Sequence, residues 1–294
     1  MTSCDRERTL FSAVHSGEVF VSGLAWAGIA LGLTIMAGCS RTPTAQSVID
    51  RAIEVQGGAP EFAQVRVVER VISLYGTAEA GSTSGAARAV TLEAFDLVGR
   101  RMFVERSDGT SSVMRFYDFS KGEGWASSSS GSTTLGVKET PTDVAQLQVQ
   151  FSEGTGFEVF SLGASLRSEK SPDGLDFAGQ DTFDGHAVLV LAAKREESLG
   201  SGAGSVMLET RFLFDEGSGY LIGKQKLVSL SGSPPVKNEI AYSNYELVDG
   251  RIFLPHLIET RQQGATLSTI SVQTLTLKPE MDPRMTERPA APPK

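Results

Sequence analysis

The sequence predicts an α+β fold: one amphipathic helix followed by a long series of antiparallel strands. Three observations carry this. Ala45, Val48, Ile49, Ala52 and Ile53 recur at i, i+3, i+4, i+7 and i+8, a single apolar stripe of helical period. Beyond Val67 the pattern changes to short segments rich in Val, Ile, Thr and aromatics, separated by clusters of Gly, Asp, Ser or Pro. Within one of these, Ala187 to Leu191 is apolar on both faces, which predicts a central strand and a sheet covered on its second face as well.

The first element is the apolar run VFVSGLAWAGIALGLTIMAGCS, residues 19 to 40. It ends in the small residues Ala37 and Gly38 followed by Cys39 and resembles the lipobox of bacterial lipoproteins, with Met36 where Leu is usual. That resemblance implies cleavage between Gly38 and Cys39, a diacylated Cys39 as the first mature residue, and, from Ser40, retention at the outer membrane facing the periplasm. An uncleaved transmembrane anchor is the alternative. The crowding of Gly and Ala at the end of the run and the lack of a basic stop-transfer flank favour the signal. The preface MTSCDRERTLFSAVHSGE is long for a signal, but a later start would discard Arg6 and Arg8, its orienting positive charges. The expected organisation is a signal peptide over 1–38, a lipidated tether over 39–43, one domain over 44–278 and a Pro-rich disordered tail over 279–294. At ~3.3 to 3.6 Å per extended residue, Ser40 to Pro43 reaches only about 15 Å, so the domain is expected on the membrane surface.

Thr44 is placed to cap the helix that begins at Ala45, and Gly57 to stop it. Pro60 opens a second short turn through Phe62 and Val65. Strands are predicted at Val67 to Tyr75, Ala89 to Phe95, Arg101 to Arg106, Ser112 to Phe119, His186 to Ala193, Ser205 to Phe214, Tyr220 to Leu230, Asn238 to Glu246 and Thr266 to Lys278. Ser127 to Thr134 reads as a polar loop. Pro141 to Phe151 reads as a helix started by Thr142-Asp143, although Leu147, Val149 and Phe151 fit a strand equally well.

Several short motifs then fall in a familiar order. Gly57-Gly58, Phe62…Val65 and a strand into Gly76 resemble the opening of the bacterial outer-membrane lipoprotein-sorting family, with its LolA/LolB-like lipoprotein-carrier fold. Gly122-Glu123-Gly124-Trp125 looks like that family's G-x-x-G-W hairpin, and Gly179 to Ala187 is similar to its strand pair around d-G. Phe214-Asp215-Glu216-Gly217-Ser218-Gly219-Tyr220-Leu221 resembles its f-D-x-x-t-G-l-l hairpin. Tyr242-Ser243-Asn244-Tyr245…Asp249-Gly250-Arg251…Leu254-Pro255 resembles y-s-d-y…d-G-x-x-x-P. Near the end Met285 stands where the family has Phe. The resemblance implies a strongly curved antiparallel sheet, an incomplete barrel with helices packed in its concave mouth, and an apolar cavity for acyl chains. In that cavity Trp125, Phe212 and Phe214 are the candidate ligand contacts, against plain core packing as the simpler role.

Composition narrows the function. The chain of 294 residues has a net charge of -8, the wrong sign for a phosphate backbone, so no nucleic-acid partner is expected. Cys4 leaves with the signal and Cys39 takes lipid, so the mature fold stands without a disulfide. No cofactor and no metal are expected. His186 and His256 are isolated, with no cysteine or H-E-x-x-H pattern beside them. Gly217 to Lys224 misses the phosphate-loop spacing by one residue, with Gln225 in place of the hydroxyl and a strand rather than a helix after it. Glu196-Glu197 and Asp181…Asp184 lie in predicted turns, where acids solvate the loop.

The expectation is a non-enzymatic, lipid-anchored envelope protein that holds an acyl chain or a lipoprotein, as acceptor or sensor in lipoprotein sorting. The first alternative is an interaction module that binds an envelope protein along a sheet edge without a cavity ligand. The second is a hydrolase, which would need polar residues clustered at one pocket.

Overall fold

Thr44 begins the fold with a reciprocal cap. Its Oγ1 accepts from the Ser47 amide at 3.1 Å, and Ser47 Oγ accepts from the Thr44 amide at 2.9 Å. Helix α1 (Ala45–Val55) then buries Val48, Ile49, Ala52 and Ile53, the stripe read from the sequence. It ends at Gly57, with φ 140°, where an added Cβ would meet the Arg251 carbonyl oxygen at 2.4 Å. Helix α2 (Ala59–Gln64) carries Pro60 in its first turn and buries Phe62. The computed structural model describes residues 42–76, 89–108, 110–130, 133–138, 151, 156–159, 161–162, 174–198, 205–230 and 234–287. All belong to one compact unit, Thr42–Lys294. Gly38, Cys39 and the expected signal lie outside the described residues, as does Pro141 to Gln150 of the expected helix. Phe151 itself is helical and packs on Phe119, with ring centroids 5.0 Å apart.

Thirteen strands follow among the described residues: β1 (Val67–Gly76), β2 (Ala89–Asp96), β3 (Arg101–Ser107), β4 (Ser111–Asp118), β5 (Glu123–Ser130), β6 (Thr133–Lys138), β7 (Asp176–Phe183), β8 (His186–Ser198), β9 (Ser205–Asp215), β10 (Leu221–Leu230), β11 (Val236–Val248), β12 (Ile252–Gln262) and β13 (Ala265–Lys278). They form one sheet in the order β6-β5-β4-β3-β2-β1-β13-β12-β11-β10-β9-β8-β7. Two meanders are joined by the antiparallel β1–β13 pair, and among the described residues β6 and β7 end the sheet, which is open there and consistent with an incomplete barrel. Asp184-Gly185, Asp249-Gly250 and Gln263-Gly264 have positive φ at both positions, the two-residue turns whose twist suits a hairpin.

Register and alternation separate two faces. Val68 and Ile72 of β1, Phe95 of β2, Met102 of β3, Tyr117 of β4, Leu189 and Leu191 of β8, Phe212 and Phe214 of β9 and Ile258 of β12 share a core with α1 and Phe62. We call this the helix face. On the far face, Val67, Ala94, Phe103, Trp125 and Met281 form one smaller cluster, and Phe183, Val188, Val190, Leu213 and Ala241 another. Both faces of Val188 to Leu191 are buried as expected. The strand is not central, however: β8 lies one place from the β7 edge, and the far-face cluster supplies its second cover.

Two further expectations need correction, and β12 forms where no strand is predicted. Ser127 to Thr134 is not a loop but part of the β5–β6 hairpin, where the serines pair residue by residue with Ser111 to Met114. Ladder bonds come from the backbone, so a polar strand at the end of a sheet can form without an apolar pattern. β12 was hidden by Pro255, which sits opposite Tyr245 and lies beyond the end of the β12–β13 ladder at Leu257, so no amide is needed there on the β13 side. The segment 279–287 is not disordered. Asp282 caps a helical turn (Pro283–Thr286), and Met281, 5% exposed, and Met285 both pack on the cluster around Trp125. Residues 288–294 lie outside the described residues.

Candidate functional site

The α1 core fills the helix face toward the end of the sheet that carries the β2–β3, β9–β10 and β11–β12 turns. Toward the other end, near the β3–β4 turn, the same face holds a groove of about 360 Å³. Its walls follow from pairing. Glu93 of β2 lies beside Val104 of β3, and Val104 beside Arg115 of β4. One row further along, Ile72, Thr91, Arg106 and Val113 stand in register across β1 to β4. Leu74 and Ile270 pair across β1 and β13 to complete the lining. Five aliphatic side chains therefore face one another, with two arginines, Arg106 and Arg115, among them.

The closed end of the groove is an ion pair. Arg70, 4% exposed, donates from Nε and Nη2 to Glu93 Oε2, each at 2.7 Å. Its guanidinium lies 5.1 Å from the Phe95 ring centroid and 5.5 Å from that of Phe157. Deeper still, the Tyr242 hydroxyl donates to Glu158 Oε1 at 2.6 Å. Burial and the neighbouring Glu158 charge push Tyr242 well above the usual tyrosine range, so it stays a neutral donor. At the open end Arg106 is exposed and has no ion-pair partner among the described residues.

The far face has two other concavities. One, of about 510 Å³, includes Phe183, His186, Asp215, Tyr220, Ile222 and Arg261 in its lining. Its charges are used internally. Asp215 Oδ1 accepts from the Ser218 amide at 2.5 Å and the Ser218 hydroxyl at 2.7 Å, and Asp215 Oδ2 lies 3.1 Å from His186 Nδ1. Burial raises the Asp215 pKa, but the bonds from Ser218 and His186 outweigh it and hold the carboxyl below its ordinary value. Arg261 pairs with Asp184 at 2.8 Å and Glu259 at 2.5 Å, and those bonds push its pKa up. Ser218 and His186 thus both turn to Asp215 rather than to each other, which is no nucleophile–base pair. The third hollow, about 260 Å³, is lined by Trp125, Phe116, Asp118, Lys121, Glu123, Gly124 and Thr286.

The three aromatic candidates do not meet. Phe212 and Phe214 share the helix face, packed in the α1 core, with the Lys224 ammonium 5.5 Å from the Phe212 centroid. Trp125 is on the far face, stacked on Phe116 at 5.9 Å, its buried Nε1 without a hydrogen-bond partner among the described residues. None of the three is among the groove residues. The remaining candidates have structural duties. Glu196 accepts from Ser205 across the β8–β9 pair, Asp181 faces Arg211 at 3.9 Å, and His256 Nδ1 donates to the Leu254 carbonyl at 3.1 Å. Gly217 to Lys224 is the β9–β10 turn and the start of β10, with Lys224 buried. Among the described residues no group of three His, Cys, Asp or Glu is placed to hold a metal, and no helix is long and apolar enough to cross a membrane.

Sequence reading missed the groove residues. The one available signal was alternation: Met102, Val104 and Arg106 share a face, as do Val113, Arg115 and Tyr117, so each arginine belongs with apolar neighbours.

No family model matches the chain, and no curated protein matches it. Among solved structures it is similar to a DUF1329 family protein from Desulfovibrio piger, at 11% identity over 84% of this chain and 98% of that one, with a TM-score of 0.44. It is also similar to a protein from Vibrio parahaemolyticus provisionally named an outer membrane lipoprotein-sorting protein domain, at 11% identity over 82% and 96%, TM-score 0.37. A third is a β-barrel-like protein of the domain of unknown function DUF1849 from Brucella abortus, at 10% identity over 73% and 99%, TM-score 0.18. Identities this low transfer no residue roles.

Proposed function

We propose that this chain is a non-enzymatic cell-envelope protein, tethered to the outer membrane by lipid on Cys39, that takes an acyl chain of a lipid or lipoprotein into the groove on its helix face. The half-barrel in this reading carries α1 and α2 in its mouth and leaves the groove as the vacant part. The observation that carries the reading is the groove: five aliphatic side chains from four strands around about 360 Å³, in the size range of small-molecule sites. Burial of each methylene there contributes about 0.8 kcal/mol, so an acyl chain is held without polar chemistry. A short tether suits an acceptor or sensor better than a shuttle.

The test is native mass spectrometry, with solvent extraction, on residues 40–294 expressed without the anchor. One bound lipid per chain, lost in Ile270→Asn, is the expected result. A clean apo mass that takes up no added lipid overturns the reading and leaves the interaction module. The specific observation favouring that second reading is that β6 and β7 each have a neighbour on one side only among the described residues.

A further inference from the structure

The cations along the groove differ in their pairing. At the closed end Arg70 is neutralised by Glu93, whereas at the open end Arg106 faces solvent with no ion-pair partner among the described residues. Thr91, in register with Arg106 on the adjacent strand, adds a hydroxyl to the same row. The cation is a local feature, because the chain as a whole has a net charge of -8. A ligand that enters apolar end first therefore leaves its head beside a guanidinium. If each water-sized group takes ~30 Å³, the volume of about 360 Å³ holds about a dozen of them, one chain and not several.

We propose that the groove binds a single-chain amphiphile with an anionic head, the carboxylate or phosphate being held by Arg106. This rests on the acyl-chain reading above and adds the class of head, the number of chains and the direction of entry. Guanidinium donors suit either oxyanion, so a fatty acid and a lysophospholipid share the chemistry. The aliphatic walls formed by Val104, Val113 and Ile270 supply the chain contacts.

The test uses the full chain in amphipol and measures binding of palmitic acid, palmitoyl lysophosphatidic acid and monopalmitoylglycerol by native mass spectrometry. Both anionic probes are expected to bind one per chain, about tenfold tighter than the neutral one, as a charge-assisted bond at an exposed rim contributes. Arg106→Gln should lower both anionic affinities to the level of monopalmitoylglycerol and leave the latter unchanged, and Arg106→Lys should retain part of the preference. Equal binding of all three probes by the native chain, or an anionic preference that survives Arg106→Gln, overturns the headgroup inference while the acyl groove stands. Binding of none of the three overturns the groove itself. Preference for palmitic acid alone, or for lysophosphatidic acid alone, tells which oxyanion the rim accepts and supports the proposal in either case. Arg106 is exposed, so the variant should melt within about a degree or two of the native chain, as surface changes generally do.

Discussion

Arg70→Met tests the closed end of the groove. The substitution keeps most of the volume but removes the guanidinium that bonds Glu93 twice at 2.7 Å and lies over Phe95 and Phe157. Loss of one partner of a buried pair costs about 3–5 kcal/mol, because the remaining charge stays in poor solvent. Glu93 keeps 13% of its side-chain exposure through the groove, so the lower figure, about 3 kcal/mol, applies. For a domain of this size that is a drop in Tm of about 6–12 °C. Arg70→Met/Glu93→Leu removes both charges and should recover most of the loss, since apolar replacement of a whole buried pair is often neutral. Chemical denaturation of the native protein, both single variants and the double variant gives the coupling directly. A cost below about 1 kcal/mol for Arg70→Met, or a double variant no more stable than the single, would refute the view that this pair seals the groove.

Gly57→Ala places a Cβ 2.4 Å from the Arg251 carbonyl at φ 140°, and should cost about 3 kcal/mol in urea unfolding, against almost nothing for an exposed helix site such as Gln46→Ala. Thr44→Ala removes one half of the α1 cap and should cost about 1 kcal/mol, with Thr44→Ser nearly silent in the same assay. Acid should destabilise the fold through Asp118 and Asp215. Burial raises each, but the bonds from Ser120 and Lys121 on one and from Ser218 and His186 on the other bring both below the ordinary value. A depressed folded pKa means a contribution that is complete above the unfolded value near 4 and is lost as pH falls through the folded one. Tm should therefore fall below about pH 4, less steeply in Asp215→Asn; an unchanged slope in that variant would exclude Asp215 as a source.

What was legible in the sequence was local. The α1 stripe, its Thr44 cap and the Asp-Gly turns each rest on a few adjacent residues whose geometry is intrinsic, and all three are present. β5 was illegible because Ser127 to Ser130 have no apolar alternation, their ladder bonds being the backbone's. β12 was obscured by Pro255, whose missing amide is harmless because the β12–β13 ladder ends at Leu257, short of it. The groove was beyond reach for a different reason. Ile270 joins Leu74 only through the β1–β13 pairing, the longest-range pairing in the sheet, and no periodicity announces which distant strands will be neighbours. Arg106, read alone, is an ordinary exposed cation near a turn. Only the register that sets it between Thr91 and Val113 makes it part of a site.

The far face gives that arginine its meaning by contrast. Across β8 to β12, Lys194 lies 3.7 Å from Glu209, Arg211 donates to Glu209 at 2.6 Å, Lys237 reaches Glu239 at 2.9 Å, and Arg261 is held by Glu259 and Asp184. Each such pair at the surface contributes only about 0–1 kcal/mol, so stability is a weak reason for the row. Its larger effect is electrostatic: every cation just named is occupied, and an oxyanion that approaches must displace a carboxylate to bind. At the groove rim no such exchange is needed, because Arg106 meets aliphatic walls and a threonine instead of an acid. The far-face cations just named are thus each paired, whereas Arg106 on the helix face has no ion-pair partner among the described residues and stands beside a groove whose lining is mainly aliphatic. An anionic head and an apolar chain are the two chemistries that this juxtaposition accepts together, and a ligand with only one of them should bind more weakly than a ligand with both.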